Sequence, residues 1–544
     1  MKTMKLTKIF CLLVLSISSS VLAQKQEKKN ILFIIVDDLR PELNCYGNDY
    51  MVTPNIDKLA EGGVLFENAY VNQAVCSASR ASFLTGVRPD VTGVDYPYSK
   101  YFVEEFLSTH KTISSYFYSK GYYTRNIGKV HHGKYDRPLT EKRFSSKLNK
   151  YADPENASFK KNQKTKSKLK GPAVEAIDVE DESYQDGEAV VEAMATLDRA
   201  TTSGKPFCIS VGFYKPHLPF NAPKKYWDLY KREAIPLAPN RSLPENTQEE
   251  LKELTTTHYS LSKYVGEKYQ EGVMYSDARS KELRHGYFAC VSFIDAQIGK
   301  LYKKLEEMDV LNNTTIVLIG DHGWHLGDQG MWGKTTNFEN ATRIPMIIMD
   351  PDLKKTGVKT KALVEAVDIY PTLIDLSGVE EEIPTYLEGT SMKPVLDNPK
   401  KQWKKAVFSQ FPRGTLASIE GYSIRTDQFR YTEWWDNENK KFIGAELYDH
   451  KIGDIEDRNV VADDKYKKNV EELSIALKKG WKAALPKGVV NTSDNPLAPR
   501  SVPVGSESKG RLKQWEKYIK KKEAKGEEPI YYLKPAIYEN QKAQ

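Results

Sequence analysis

The fold of this chain is set by the stretch ILFIIVDD at Ile31–Asp38, in which an apolar run ends in two carboxylates. The run lacks the apolar–polar alternation of a half-exposed strand, so it predicts a strand buried on both faces. Three later runs have the same character, namely Phe207–Phe213, Thr315–Ile319 and Pro345–Met349. Strands of this kind occur in mostly parallel sheets that helices cover on both sides.

Helical patterns lie between these strands. Phe288–Met308 places its apolar residues at helical spacing. Thr53, Pro54 and Gly62 suit the cap, the first position and the end of a shorter helix. Alternating strands and helices predict an α/β fold, with a large mixed, mostly parallel sheet sandwiched by helices.

The pattern changes after about Asp397 to short strands with turns between them. This change predicts a smaller antiparallel sheet as a C-terminal lobe. The strands expected there are Val407–Phe411, Tyr422–Arg425, Phe429–Trp434 and Glu446–Tyr448. We therefore expect a signal peptide at 1–23, a large domain at 24–396 and a smaller C-terminal subdomain at 397–544.

The N-terminus has the pattern of a signal peptide. A lysine-containing start is followed by an apolar run at Ile9–Leu15 and by a small-residue cleavage site at Ala23. The apolar run is too short to span a bilayer, and no later stretch is long and apolar enough. We expect an exported protein, periplasmic or secreted, with no membrane span.

Composition excludes some classes of protein. The 544 residues carry a net charge of +7, a mild excess that does not indicate a nucleic-acid partner. Lysines cluster at Lys160–Lys170, where they form solvated surface or attract a polyanionic substrate. The cysteines beyond the signal peptide are too widely spaced for a disulfide scaffold or a zinc site; they are Cys45, Cys76, Cys208 and Cys290.

Polar side chains follow the predicted strands at the points where these strands end. Asp37-Asp38 follows the first strand, Asp321-His322 follows a later one, and His217 comes shortly after another. Ligands of an open parallel sheet bind beyond the carboxyl ends of its strands. Carboxylate oxygens suit a hard cation such as calcium, and three carboxylates in one place repel each other without one. Asp37-Asp38 taken alone is more often a pair of turn or cap residues, and the addition of Asp321-His322 in the same place favours a metal site.

The stretch Cys76–Gly86 is the sharpest chemical signal. Ser79–Thr85 can form a short helix that Gly86 ends, which puts Cys76 near the helix N-terminus, where the dipole favours negative charge. Arg80 lies one turn further on. These features predict a nucleophile in an electropositive pocket, although a lone cysteine is more often a buried structural residue.

Two further cationic clusters complete the pattern. Gly128–Gly133 contains Lys129, His131 and His132 and follows an apparent strand, and Trp332–Lys334 follows the Asp321 segment. Additional cations beside one electropositive nucleophile make an anionic substrate the simplest explanation.

These residues resemble a known family. Cys76–Arg80 reads CSASR and is similar to the signature of type I sulfatases, Cys-x-(Pro/Ala)-x-Arg, which directs oxidation of the cysteine to formylglycine. The resemblance covers most of the chain and points to the iduronate-2-sulfatase-like branch of this family, within the alkaline phosphatase superfamily. The segments that carry it are Val36–Pro41, Gly128–Val130, Lys215–His217, Asp321–Trp324 and Tyr422–Asp427.

The resemblance implies a role for each site residue. One calcium ion would be held by the formylglycine derived from Cys76 and by Asp37, Asp38, Asp321 and His322. The formylglycine hydrate would be held by Arg80 and Lys129 and assisted by His132, and the sulfate would be gripped by Lys334 and His217. Relatives need only one histidine at His131-His132, and the three-residue offset from Lys129 favours His132.

The predicted function is hydrolysis of sulfate esters on a sulfated carbohydrate, for example at a 2-O-sulfated uronate. A formylglycine-generating or sulfatase-maturating enzyme is the expected partner. The alternatives are desulfation of an algal polysaccharide at a non-uronate sugar, a phospho- or phosphonoester hydrolase of the same superfamily, and a non-catalytic binder of sulfated glycans. The full motif at Cys76 argues against a mere binder, and a single set of carboxylates favours sulfate over phosphate.

Overall fold

The structure is a computed structural model that describes residues 28–92, 94, 110–132, 142–162, 170–256, 261, 263–267, 275–379, 383–413, 419–436, 439–453, 455–493, 495 and 524. The predicted signal peptide at 1–23 lies outside the described residues, as do residues 163–169 of the lysine-rich segment. Within the described ranges, no helix is both long and apolar enough to cross a membrane.

The chain alternates strands and helices. The described strands are β1 (Asn30–Val36), β2 (Val64–Tyr70), β3 (Tyr123–Gly128), β4 (Arg143–Phe144), β5 (Lys170–Pro172), β6 (Val174–Ile177), β7 (Phe207–Phe213), β8 (Phe220–Pro223), β9 (Tyr264–Val265), β10 (Thr314–Gly320), β11 (Arg343–Met349), β12 (Val358–Thr360), β13 (Val364–Glu365), β14 (Val407–Arg413), β15 (Ile419–Arg425), β16 (Phe429–Asp436) and β17 (Lys441–Asp449). The described α-helices are α1 (Pro54–Gly62), α2 (Cys76–Thr85), α3 (Pro89–Thr92), α4 (Ile113–Ser119), α5 (Pro154–Asn162), α6 (Gln185–Thr202), α7 (Lys224–Trp227), α8 (Lys252–Thr255), α9 (Asp277–Glu307), α10 (Glu339–Thr342), α11 (Ile369–Leu376), α12 (Lys393–Asp397) and α13 (Lys467–Lys479).

Nine strands of the described part of the chain form one large sheet, in the order β12–β2–β11–β10–β1–β7–β3–β4 with β13 also beside β2. Central β1 runs parallel to both neighbours, so that Val36 pairs with Gly320 of β10 and with Phe213 of β7. β11 runs antiparallel to β10 and to β2. The predicted large, mostly parallel mixed sheet is confirmed, although the run Pro345–Met349 gave no sign of its reversed direction.

Helices cover both faces of this sheet. Alternate residues of β1 pack into two separate core clusters, one with α6 and α9 and the other with α2, α4 and α11. α9 begins well before the predicted Phe288 because Ser276 caps it, its Oγ accepting from Arg279 N at 3.3 Å. Thr53 precedes α1 as expected, but its hydroxyl accepts from Asn44 N at 3.2 Å and does not cap the helix.

A second sheet of four antiparallel strands follows, in the order β14–β15–β16–β17, as predicted for the C-terminal lobe. α13 packs on one face, where Ile424 and Leu473 belong to a common core cluster. The opposite face turns toward the large sheet, since Phe411 packs against Val75 and Ala78. The domain boundary predicted after residue 396 stays a prediction.

Candidate active site

One edge of the large sheet collects the predicted site residues, because the strands that precede them are neighbours and run parallel. Four strand ends supply these side chains: Asp37 and Asp38 follow β1, Asp321 and His322 follow β10, Lys129 follows β3, and His217 follows β7. Segments far apart in the sequence thus meet where an open sheet binds its ligand.

Cys76 is the first residue of α2, so the helix starts before the predicted Ser79 and every residue of it is buried. Four polar groups surround the Cys76 Sγ. It lies 3.0 Å from Lys334 Nζ and 3.7 Å from Lys129 Nζ, while His322 Nε2 and Asp37 Oδ1 are each 3.3 Å away. The cysteine therefore sits between two ammonium groups at the centre of the cluster.

Arg80 is fully buried one turn along α2 and links two parts of the site. Its Nε donates to Asp321 Oδ2 at 2.8 Å, and its Nη1 donates to the backbone oxygens of Lys129 and Val130. Its Nη2 lies 3.8 Å from Asp37 Oδ1. Arg80 thus positions both a carboxylate and the loop that carries Lys129.

The turn after β1 depends on a residue that the sequence did not reveal. Asp38 has φ 59°, in the left-handed region that Asp tolerates better than most residues. Tyr287 of α9 holds this conformation: its hydroxyl donates to Asp38 O at 2.8 Å and accepts from Arg40 N at 3.1 Å. A tyrosine at helical spacing looks like ordinary core, so no sequence signal marks this role.

Two glycines let the Lys129 loop approach β7. Lys129 N donates to Gly212 O at 2.7 Å, and Gly128 has φ +70°, which favours glycine. A Cβ on Gly212 would lie 2.5 Å from Val130 N and closer still to the Lys129 carbonyl. From the sequence, Gly212 is only part of a predicted strand and Gly128 only the start of the cationic cluster at Gly128–Gly133, so neither predicts this close approach.

The two aspartates after β1 differ in how readily they ionise. Burial opposes ionisation of Asp37, but the cations around it, Lys129 foremost, hold its pKa well below the usual value. Burial raises the pKa of Asp38 to about 8, and the charge of Asp37 adds to this while Lys334 opposes it. Two carboxyl groups this close need more positive charge before both can ionise.

The thiol of Cys76 is not activated in its unmodified form. Burial raises its pKa, and the charge of Asp37 raises it further. Neighbouring carboxylates raise the pKa of Lys334 and of Lys129 in spite of their burial, so both stay charged. Cysteine nucleophiles act as thiolates. An intact Cys76 is instead a protonated thiol beside two cations.

The donor set fits a hard cation. Asp37, Asp38, Cys76 and His322 each offer a ligand atom, and these atoms lie within 4.8 Å of one another. Asp38 Oδ2 is buried and has no hydrogen-bond partner among the described residues. Asp321 borders the group, with its Oδ1 3.4 Å from His322 Nε2. Oxygen-rich donors suit calcium, whose charge would let both aspartates after β1 ionise.

His217 lies half-buried on the turn after β7. Its Nδ1 donates to Leu218 O at 2.6 Å, which leaves Nε2 as the nitrogen that can exchange a proton. Burial lowers the pKa of His217 well below its usual value, and Lys334 and Lys129 lower it further, although Asp37 opposes them. His217 is therefore neutral in the free protein.

The remaining cluster after β3 has two histidines in different settings. His132 is exposed, whereas His131 is partly buried with its Nε2 3.4 Å from Asn126 Nδ2. The role predicted for His132 stays a prediction. Lys215, which precedes His217, is buried and donates to Asn221 Oδ1 at 3.1 Å, so it shapes the turn.

Comparison with known proteins adds independent findings. A family model described as Sulfatase matches residues 29–379, and one described as N-sulphoglucosamine sulphohydrolase, C-terminal, matches residues 327–482. Iduronate 2-sulfatase of Homo sapiens is 32% identical over 519 residues, which cover 80% of this chain and 91% of the relative. A sulfatase of Formosa agariphila is 29% identical over 472 residues, which cover 83% and 87%.

Solved structures share the fold. A phosphonate monoester hydrolase of Agrobacterium radiobacter superposes with a TM-score of 0.67 at 21% identity, covering 83% of this chain and 95% of that one. A protein in complex with its substrate D-glucosamine-2-N,6-O-disulfate gives 0.65 at 23% identity, covering 83% and 97%. Because the Sulfatase model spans more than half of the sequence and a full-length relative exceeds 30% identity, this chain belongs to the sulfatase family, whose members hydrolyse sulfuric esters.

Proposed function

We propose that this sulfatase is exported, that it removes a sulfate ester from a 2-O-sulfated uronate of a carbohydrate, and that it uses one calcium ion and a formylglycine made from Cys76. The observation that supports this proposal most strongly is the position of Cys76. It is the first residue of the buried helix α2, and its Sγ lies 3.0 Å from Lys334 Nζ and 3.3 Å from His322 Nε2. The uronate is supported by the 32% identity to iduronate 2-sulfatase.

The charges of the site support binding of a dication followed by an anion. Three carboxylates face three cations: Asp37, Asp38 and Asp321 against Arg80, Lys129 and Lys334. A divalent ion held by the carboxylates would leave the cations in excess. A sulfate ester, which carries one negative charge, would then be drawn to the site and held there.

Formylglycine and calcium would supply complementary chemistry. A hydrated formylglycine would offer an oxygen nucleophile and a second hydroxyl for the release of sulfate, and a calcium ion held by the carboxylates would supply positive charge beside it. The raised pKa of the Cys76 thiol supports the need for this conversion. A formylglycine-generating or sulfatase-maturating enzyme would be the partner that performs it.

The side chains of this chain supply the remaining steps. Lys334 would donate to sulfate oxygens, whose charge grows in the transition state, and Arg80 and Lys129 would hold the residue at position 76 in place. His217 would protonate the leaving sugar oxygen through Nε2. Because the sulfate charge favours the protonated imidazole, His217 would take up its proton as substrate binds. His132 is our candidate for accepting a proton during sulfate release.

The proposal is tested by sulfate release from defined oligosaccharides, measured by ion chromatography. The panel contains a heparin disaccharide 2-O-sulfated on the uronate, one 6-O-sulfated on glucosamine, and a sulfated ulvan oligosaccharide. Phosphate release from 4-nitrophenyl phosphate is measured in parallel to test for a phosphoesterase. We expect release from the first substrate and none from the Cys76→Ala variant, which should also bind calcium more weakly. Release only from another sulfated sugar would refute the uronate assignment, and turnover by Cys76→Ala would refute the mechanism.

A further inference from the structure

A cavity lies between the four-stranded sheet of the C-terminal lobe and the segment after α2. It has a volume of about 310 Å³ and is bounded by β14, β15 and β16, by the end of α13 and by the segment after α2. The lining side chains that matter for its chemistry are Asp90, Tyr422, Glu433, Trp435 and Trp481. None of these residues has a part in the site around Cys76.

The four-stranded sheet separates this cavity from the nucleophile. Gln410 pairs with Tyr422, and Tyr422 pairs with Glu433, so these side chains share the face that carries the cavity. Successive residues of a strand point to opposite faces. Phe411 accordingly lies on the other face, where it packs against Val75 next to Cys76. A ligand in the cavity would therefore bind away from the reacting atoms.

The apolar part of the lining is a fixed aromatic surface. Trp435 is partly exposed, and its Nε1 donates to Glu433 Oε2 at 2.8 Å, which holds the indole ring in place. Trp481 adds a second indole, anchored by the Arg88 guanidinium at 4.4 Å from its ring centroid. A rigid ring with one apolar face and one polar edge suits a ligand that is itself apolar on one face and polar at its rim.

The polar part of the lining accepts hydrogen bonds. Asp90 Oδ1 accepts from Gln410 Nε2 at 2.9 Å and from Tyr422 OH at 3.1 Å. These two donors fix the Asp90 carboxyl at the wall of the cavity, where its oxygens are acceptors of the kind that a sugar hydroxyl bonds to.

The charges of the lining do not favour an anion. Three carboxylates and three cations line the cavity, namely Asp90, Glu433 and Asp436 with Arg88, Lys440 and Lys478. Arg88 is already paired with Glu365 at 2.6 Å, and Lys478 lies 3.8 Å from Glu433 Oε1. Because the formal charges of the lining balance, it gives no net attraction for a sulfate group, whereas an uncharged ring with several hydroxyls can bond to both its donors and its acceptors.

We propose that this cavity binds an unsulfated, uncharged sugar unit of a carbohydrate chain, at a site separate from the catalytic centre. Its volume is near the lower end of the range for small-molecule sites, which begins at roughly 300 Å³ and suits a single sugar ring. The inference rests on the proposed function only for the carbohydrate nature of the ligand. A polymer held here stays near the catalytic edge, and this raises the effective concentration of its sulfated units.

The experiment is a tryptophan-fluorescence titration of the full chain with agarohexaose, xylohexaose, laminarihexaose and an unsulfated chondroitin hexasaccharide. We expect at least one to give a saturable change, which Trp435→Ala weakens by about tenfold, equivalent to about 1.4 kcal/mol. Ile475→Ala is the matched control, because Ile475 lies on α13 but is 55% exposed and outside the lining. Binding should persist in Cys76→Ala, which separates this site from the catalytic one.

Asp90→Asn provides a second variant that keeps the side-chain size should Trp435→Ala not fold. We expect it to weaken the same titration. The proposal is overturned if no oligosaccharide changes the fluorescence, or if both Trp435→Ala and Asp90→Asn bind like the wild type. Neither readout requires sulfate release, so a failure of the proposed substrate would leave the result on the cavity intact.

Discussion

Replacing Gly212 by alanine tests how closely the backbone must pack to build the catalytic site. The new Cβ would lie 2.5 Å from Val130 N, whereas non-bonded heavy atoms rest about 3.5 Å apart. The loop after β3 must therefore retreat by at least about 1 Å, because the Lys129 carbonyl lies closer still to the new Cβ. Lys129, which contacts Asp37 and accepts from Arg80 through its backbone oxygen, would retreat with it. A misplacement of about 1 Å costs about 100-fold in rate.

The assay is kcat/KM for sulfate release from the best substrate of the panel, with thermal unfolding to confirm that the variant is folded. Gly453→Ala is the matched control, because a Cβ there meets nothing within 4 Å and should leave kcat/KM unchanged. A folded Gly212→Ala enzyme with the kcat/KM of the wild type would refute the reasoning. It would mean that the approach of Lys129 to β7 does not set the geometry of the site.

Three further predictions concern catalysis, metal binding and stability. Lys334→Ala should lower kcat for sulfate release by about 100- to 1,000-fold, because it removes the ammonium group 3.0 Å from Cys76 Sγ. Lys354→Ala, at an exposed lysine, is the control and should keep the kcat of the wild type. A Lys334→Ala enzyme with the kcat of the wild type would contradict the prediction. Tyr287→Phe should weaken calcium binding about tenfold, measured by calorimetry, because it removes the hydrogen bond that holds the Asp38 turn. Tyr302→Phe on the same helix is the control. An unchanged calcium affinity of Tyr287→Phe would contradict a positioning role for Tyr287. Burial raises the pKa of Glu446 to about 7, so the folded state holds this proton at a pH where the unfolded chain, with a pKa of about 4.3, has lost it. The stabilisation from this group is fully present below about pH 4 and falls by about 4 kcal/mol as the pH rises through 7. Glu446→Gln should remove this pH dependence from the free energy of unfolding measured with denaturant; an unchanged pH dependence would exclude Glu446 as its source.

Sequence reasoning succeeded where local pattern and global fold agree. The unbroken apolar run of β1 is the signature of a strand buried on both faces, and both faces are indeed covered. The position of Asp37, Asp321 and Lys129 at one edge follows from strands that run parallel, because their carboxyl ends must then meet. The helix at Cys76 was expected from its glycine stop, and only its first turn was missed.

The remaining features depend on contacts between distant segments. Tyr287 lies far from Asp38 in the sequence, so its hydrogen bond to the Asp38 carbonyl leaves no trace in either local pattern. Gly212 lies inside a strand, where the sequence gives no sign of a role. Only the structure shows that the Lys129 backbone packs against it and leaves no room for a Cβ. The direction of β11 likewise depends on which neighbours it pairs with, which an apolar run alone does not encode.

The central claim is that position 76 of the active enzyme is a formylglycine, and mass spectrometry of the peptide that contains Cys76 tests it most directly. The protein should be isolated from its native host, so that the partner that converts the cysteine is present. We predict the mass of the aldehyde in place of the thiol, in a fraction that rises with the specific sulfatase activity of the preparation. A fully active preparation in which Cys76 remains an intact thiol would contradict the account.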